Sequence, residues 1–364
     1  MKITDIQVGE ISVPLLRPFV TAVRTAYYVN AVIVKITTDT GHIGYGEAAP
    51  TPLNTGDTKE AIISIISNYI KQAILGMDIK NMEGIMERLH HCVERASSAK
   101  AACDMAIYDL YGKLYNAPLY QILGGARHEL KTDMTVSIGT RDDMIKDAIK
   151  HVKNGFDIIK IKVGKGGIED FETIKAIQKE IGDHITLRID PNQGWEKKEA
   201  VRIIRMLEDA GLNIEFVEQP VKARDYKAMA YVTSNVYTTI VADESVFTPK
   251  NAIDLIQMGG ADIINIKLMK TAGIYNALKI CSIAESFGTK CMVGVMLESN
   301  LGATAAAHLA GAKGVITMID LDTPHFCKES SIHGGAIYNG SNIRLTDKPG
   351  LGIERINEKL IKFI

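Results

Sequence analysis

The 364-residue chain carries 42 Lys and Arg against 43 Asp and Glu, a net charge of −1, with 46% hydrophobic and 23% charged residues. Near-neutrality removes the electrostatic case for a nucleic-acid partner or an anionic membrane surface, and no apolar run approaches the ~18 residues of a membrane span. Length and apolar content suffice for a substantial core, expected as two domains.

The amino-terminal stretch MKITDIQVGEISVPL alternates as a strand does and lacks the apolar stretch and cleavage site of a signal peptide. Strands are expected at 3–13, 29–39 and 42–47, the last two joined through the turn signal Asp39-Thr40-Gly41. The segment from Phe19 to Tyr28 reads as a loop holding Arg24. Binding residues concentrate on loops, which makes Arg24 a candidate substrate contact. Helices are expected at about 57–74, 82–95 and 98–115, the third closing before Pro118. These elements form an α+β unit over residues 1–125, with a boundary near LGGARHEL at 123–130.

Beyond that boundary, short runs rich in β-branched residues recur at 158–162, 185–190, 214–218, 238–243, 261–267, 289–296 and 314–320. All but the run at 289–296 close on a charged residue: Lys162, Asp190, Glu218, Asp243, Lys267 and Asp320. The first five of these are 28, 28, 25 and 24 residues apart, and Asp320 comes after 53, about two further periods. One strand and one helix of a (β/α)8 TIM barrel occupy such a period, because a barrel of ~250 residues has eight units. The expected fold is therefore an α/β barrel over 126–330 beside the α+β unit, with the charges at the strand ends where barrel enzymes keep their chemistry. The Gly-rich segment at 333–354 has hairpin or loop character and is too long to be a last barrel helix alone. Residues 331–364 are expected to return to the first domain.

Each charge alone is explained as well by a helix cap or a solvated lysine. The joint pattern is not, since like charges clustered on successive strands are costly unless a cation lies among them. Other motifs add little. Five cysteines, odd in number and without a CxxC pair, suit reduced thiols and a cytoplasmic location. Nine histidines offer no zinc spacing, KVGKGG at 162–167 fits no phosphate-binding loop, and the 14 methionines read as core filler.

Asp190, Glu218 and Asp243 present three hard oxygen ligands from adjacent strand ends, a set that suits Mg²⁺, with Mn²⁺ as substitute. Lys160 and Lys162 are two apart on one strand and so point to the same side. Their proximity favours a neutral amine on one of them, the form that serves as a base. Lys267, four strands further round an eight-strand ring, faces Lys162 across the mouth. A planar carbanion between them has one amine on each face.

At these residues the chain resembles the muconate lactonizing enzyme subgroup of the enolase superfamily. That pattern has KxK on the second strand, Asp, Glu and Asp metal ligands on the third to fifth, and Lys on the sixth. GHIGYGEAAP resembles the capping-domain hairpin, and DPNQGW, VEQP, ADESVFTP and INIKLMKTAGI resemble the metal strands and the sixth strand. Pro191 departs from the familiar Ala, stiffening the loop without touching the ligand. The resemblance implies Lys or His bases working with Mg²⁺. At the end of the eighth strand Asp320-Leu321-Asp322 resembles the dipeptide epimerases, in which such a pair grips the α-ammonium of a dipeptide whose carboxylate binds the metal. Arg24 matches the position that pairs with the glutamate side chain in alanyl-glutamate epimerases, although an arginine beside Tyr27 and Tyr28 also suits hydrophobic or aromatic dipeptides. Lys160, Thr135 and Glu298 complete the candidate substrate contacts. Competing activities of the subgroup are o-succinylbenzoate synthase, N-acylamino acid racemase and muconate cycloisomerase, whose substrates carry no ammonium for the two acids. The implied protein is a cytoplasmic homo-oligomer acting on a small molecule.

Overall fold

A computed structural model describes residues 1–21 and 24–364. The first sheet joins β1 (Ile3–Val20), β2 (Thr25–Thr38) and β3 (Ile43–Ala48), antiparallel in succession, and a strand from the end of the chain, β17 (Ile361–Phe363), lies outside β1. The loop expected from Phe19 to Tyr28 is corrected: Phe19 pairs with Ala26 and Val20 with Thr25, so strand pairing runs almost to the tip. The residues TAYYV are good strand formers, and pairing with β1 makes use of that preference. Ala22 and Val23 of this segment lie outside the described residues.

A helical layer covers this sheet's inner side. It comprises α1 (Lys59–Ile65), which continues through a π turn into α2 (Lys71–Ile74), then α3 (Met82–His91), α4 (Ser97–Leu114) and α5 (Leu119–Ile122). Helix α4 lies flush on β3. A Cβ at Gly44 would stand 2.2 Å from Ala106 O and one at Gly46 1.8 Å from Ala102 O, so only glycine admits the helix backbone at that distance.

After β4 (Glu129–Lys131) comes the parallel sheet of β5 (Met134–Val136), β6 (Ile158–Lys162), β7 (Thr186–Asp190), β8 (Ile214–Glu218), β9 (Thr239–Ala242), β10 (Ile263–Ile266), β11 (Lys290–Gly294) and β12 (Ile316–Asp320), hydrogen-bonded in sequence order. Side chains join its two ends. Thr132 Oγ1 accepts from Leu321 N at 2.9 Å, and Asp322 Oδ2 from Thr135 N at 2.7 Å. The strands alternate with α6 (Arg141–Lys153), α7 (Ile168–Ile181), α8 (Lys197–Asp209), α9 (Tyr226–Thr233), α10 (Pro249–Gln257), the short α11 (Leu268–Thr271) with α12 (Ile274–Phe287), and α13 (Asn300–Ala312). A 3₁₀ turn at Thr323–Phe326 succeeds β12 where an eighth helix would stand. The remaining chain forms short strands: β13 (Ile332–Gly334) pairs with β16 (Ile353–Ile356), β14 (Ile337–Asn339) with β15 (Asn342–Arg344), β15 with β4, and β17 (Ile361–Phe363) with β1.

Buried carboxylates fasten the first sheet and α4 to the barrel. Asp104 on α4 accepts from Ile274 N at 2.6 Å and Tyr275 N at 3.2 Å at the start of α12. Glu47 on β3 accepts from Ser299 N at 2.7 Å and Gly302 N at 3.0 Å at the start of α13. Anions are favoured at helix N-termini, where backbone N–H groups lack partners within the helix. Among the described residues no helix is long and apolar enough to cross a membrane.

Candidate functional site

The two-residue alternation of strands decides which side chains enter the barrel. Arg188 and Asp190 on β7 share one side, as do Lys160 and Lys162 on β6. Arg188 is buried in the barrel interior. Its guanidinium donates to Asp133 Oδ2 at 2.8 Å, Glu215 Oε2 at 2.6 Å and Ile319 O at 2.7 Å, and it lies 5.1 Å from the Phe216 ring centre.

Asp190 and Glu218 end their strands, and Asp243 directly succeeds β9. All three are buried. Lysines stand between them: Lys160 Nζ is 3.1 Å from Asp190 and 2.6 Å from Glu218, Lys162 Nζ is 2.5 Å from Asp190, and Lys267 Nζ is 2.7 Å from Asp243 and 3.8 Å from Glu218. Lys270, which sequence reasoning missed, has its Nζ 2.6 Å from Asp243 Oδ1 and donates to Asn265 O at 3.0 Å. Burial alone would lower the lysines. For Lys160 the carboxylates of Asp320, Glu218 and Asp190 outweigh it and hold the ammonium well above the ordinary range, and Asp243 and Glu218 do the same for Lys267. Of the two lysines, one of which is expected neutral, Lys160 is the one whose surroundings favour the charged form, because carboxylates and not other ammonium groups dominate there. Burial would raise Asp243, but Lys267 and Lys270 hold it far down.

Acceptors exceed donors around this triad. Asn192 Oδ1, Glu244 Oε2, Asn265 Oδ1 and Glu298 Oε2 are buried oxygens without a hydrogen-bond donor among the described residues. Burial first, then Asp243 and Asp190, push Glu244 up to about 8. Such an excess of buried hard oxygen fits a divalent cation held by Asp190, Glu218 and Asp243. The backbone here is strained. Asn192, Gln193 and Gln219, directly beyond Asp190 and Glu218, are non-glycine residues with φ of 46°, 67° and 38°. Gln219 secures the strand ends by accepting from Asp243 N at 3.0 Å and Ser245 N at 3.1 Å.

Opposite, Lys160 Nζ donates to Asp320 Oδ2 at 2.6 Å, so one ammonium bridges the triad and the acids of the last strand. Asp322 precedes the 3₁₀ turn but its side chain does not cap it. It turns instead to Thr135 N, so the backbone of Thr135 orients this carboxylate. Burial and then Asp320 push Asp322 up to about 7. Asp133 is the third acid of this group, with one oxygen each of Asp133, Asp320 and Asp322 lying within 4.8 Å of one another. Sequence reasoning missed Asp133. Its signal was the alternation with Thr135 on the first barrel strand.

Arg24 lies at the tip of the β1–β2 hairpin and lines a cavity of about 340 Å³ with Tyr27, Tyr28, Pro50 and Leu297. Burial holds its guanidinium below the ordinary arginine value, and no acid pairs with it among the described residues. Glu298 is buried beyond β11, where its Oε1 accepts from Met296 N at 2.8 Å, and burial together with Glu47 pushes it up to about 8.

Fold and site together define a capped (β/α)8-barrel enzyme in which acids and lysines interleave at the strand ends. The chain belongs to the mandelate racemase and muconate lactonizing enzyme family of the enolase superfamily. Residues 3–124 match the mandelate racemase / muconate lactonizing enzyme N-terminal domain, and residues 143–359 match the enolase C-terminal domain-like family. It is 53% identical over 357 residues to the L-Ala-D/L-Glu epimerase of Clostridium acetobutylicum, covering 98% of this chain and 100% of that one. Among solved structures it is similar to a substrate-liganded complex of the L-Ala-D/L-Glu epimerase from Bacillus subtilis, with a TM-score of 0.97, 48% identity and coverage of 98% and 99%. It is also similar to the dipeptide epimerase of Enterococcus faecalis complexed with Mg and L-Leu-L-Tyr, with a TM-score of 0.94, 43% identity and coverage of 97% and 99%.

Proposed function

We propose that the protein is a dipeptide epimerase that inverts the α-carbon of the second residue, with L-Ala-L-Glu favoured and hydrophobic or aromatic second residues admitted. The observation that carries this reading is the buried Asp320–Asp322 pair. Two carboxylates face one lysine there, and the elevated Asp322 leaves room for a further monovalent cation, the charge of a dipeptide α-ammonium. The lyases and cycloisomerases of the family's wider chemistry have no ammonium to offer it.

Asp190, Glu218 and Asp243 would hold Mg²⁺, or Mn²⁺ in its place, which when bound supplies a Lewis acid against the substrate carboxylate. Asp320 and Asp322 hold the ammonium end, which fixes the α-carbon between Lys162 and Lys267. One lysine removes the α-proton from its face, and the other delivers a proton to the opposite face. Lys267 keeps its own proton as long as Asp243 and Glu218 face it uncompensated, so neutralising those acids returns it toward the range of a working base. Lys160, between the triad and Asp320, supports both ends, and Thr135 and Glu298 are further substrate contacts. Arg24 receives an acidic side chain, with Tyr27 and Tyr28 beside it for apolar ones.

The test is a dipeptide panel incubated in deuterated water and read by mass spectrometry, with and without exhaustive chelation. Dipeptides gain one deuteron in the presence of Mg²⁺ and none after chelation. Full exchange in metal-free protein, or none with any dipeptide, overturns the reading. We further propose a cap of residues 1–125, a barrel of 126–330 and a returning segment of 331–364, in a cytoplasmic homo-oligomer. The five free thiols support a reducing compartment; limited proteolysis and light scattering test the domain boundaries and the oligomer.

A further inference from the structure

Glu47 is 0% exposed, and no lysine or arginine pairs with it among the described residues. A buried carboxylate without a cation persists only when donors compensate it. Its donors all come from the barrel: Ser299 N at 2.7 Å and Ser299 Oγ at 2.5 Å, with Gly302 N at 3.0 Å. Ser299 Oγ is in turn 2.6 Å from Ser331 Oγ, so the contact ties β3, the start of α13 and the carboxy-terminal segment at one point. Burial tends to raise Glu47, and these donors oppose it.

The position of this contact gives it a consequence for selectivity. Three residues beyond Glu47 stands Pro50, and two before Ser299 stands Leu297. Both residues line the cavity that Arg24 lines. The turn at 296–299 is held locally, with Glu298 N donating to Met296 O at 3.0 Å, so a shift of Ser299 carries Leu297 with it. The hairpin side of the cavity is anchored separately, where Ile138 N donates to Val20 O at 3.0 Å. The spacing of Pro50 and Leu297 thus depends on the reach of the Glu47 side chain, beside two weaker sulfur contacts, Ala49 N donating to Met269 Sδ at 3.2 Å and Asn54 Nδ2 to Met296 Sδ at 3.8 Å.

We infer that Glu47 is a specificity-positioning residue: by gripping the first turn of α13 it sets the gap between Pro50 and Leu297, and so which second-residue side chain the cavity accepts. The inference rests on the dipeptide epimerase reading for the identity of the ligand, but not for the contact itself. Glu47→Asp keeps the charge and shortens the reach by about 1.5 Å, one C–C bond. Glu47→Gln keeps the reach and loses the charge. Asp104 provides a control, because it is another buried acid at the start of a barrel helix and does not line the cavity.

The experiment measures kcat and KM for L-Ala-L-Glu and L-Ala-L-Ala in the wild type, Glu47→Asp, Glu47→Gln and Asp104→Asn. In Glu47→Asp the ratio of kcat/KM between the two dipeptides falls on the order of tenfold, through KM, as expected for a displacement of about 1 Å in a positioning wall. Glu47→Gln keeps the reach but turns its NH2 toward Ser299 N or Gly302 N, so it recovers only part of that ratio, and Asp104→Asn leaves it unchanged even if both substrates slow together. An unchanged ratio in Glu47→Asp, or equal loss for both substrates, overturns the inference. Ser299→Ala removes one donor from the barrel side and should shift the ratio the same way if Glu47→Asp does not fold. Hydrogen–deuterium exchange reads the contact without substrate. Residues 48–54 and 295–303 lose protection together in the variant while 214–218 do not. Absence of that joint loss overturns the inference whatever the wild type turns over. A wild type that exchanges no dipeptide α-proton overturns the functional reading alone.

Discussion

Replacing Arg188 with Met tests whether the cation inside the barrel holds the site together. Arg188 is 2% exposed and Asp133 is 0% exposed, with their charged atoms 2.8 Å apart. Removing one partner of a buried pair costs about 3–5 kcal/mol, because the other is left as an uncompensated charge. Asp133 has an escape. Burial and then Asp320 already push it well above the ordinary carboxylate range, so without Arg188 it takes up a proton. The cost in Arg188→Met should therefore fall near the lower end, about 3 kcal/mol at neutral pH. It should grow as pH rises, since a carboxyl whose folded pKa is raised contributes stability at low pH that is lost on the way up. Arg188→Met/Asp133→Asn removes both charges and should recover about 1–3 kcal/mol of the loss. Urea denaturation at pH 6 and pH 8 provides the assay. The single tryptophan, Trp195, is buried and donates to Asp170 at 2.8 Å, so its fluorescence reports the barrel and circular dichroism the whole chain. A loss under about 1 kcal/mol, or a double variant as unstable as the two single losses combined, refutes the reasoning.

Lys162→Ala and Lys267→Ala should each stop epimerisation, while the remaining lysine still exchanges the α-proton of the epimer it faces; near wild-type epimerisation in both, monitored by chiral chromatography, excludes a two-base mechanism. Acetylating the dipeptide amine should lower kcat/KM by roughly 10²- to 10³-fold, the cost of leaving buried acids without their counter-ion, and Asp322→Asn should weaken free dipeptides more than acetylated ones. Equal turnover of free and acetylated substrates by the wild type would return the acylamino acid racemase and synthase activities to the front. His308 is buried, with Nδ1 accepting from Tyr120 N at 3.2 Å, and burial lowers it to about 4. Its folded pKa lies below the unfolded one near 6.5, so its contribution is complete above pH 6.5 and declines as pH falls toward 4, by about 3 kcal/mol in all. His308→Gln should flatten that acid limb in denaturation measured from pH 7 to pH 4, and an unchanged slope argues against a buried neutral imidazole.

The sequence by itself determined the features that local periodicity dictates. A repeat of one strand and one helix demands a parallel barrel, and the two-residue period of a strand puts Lys160 with Lys162 and Arg188 with Asp190 on shared sides. Gly44 and Gly46 sit in the hairpin signature for a reason only the packed structure reveals, the close approach of α4. The tertiary structure alone decided three things. It extended the β1–β2 pairing through the expected loop, because strand partners outweigh local turn character. It surrounded Lys160 with the carboxylates of Asp320, Glu218 and Asp190, which favour its charged form, where the sequence showed only the neighbouring Lys162. It also joined Glu47 to Ser299 across 252 residues, and Asp133 to Arg188. Local pattern carries no trace of such partners, because a buried charge is satisfied by whatever the folded chain brings within about 3 Å, and that distance exists only after the layers have packed.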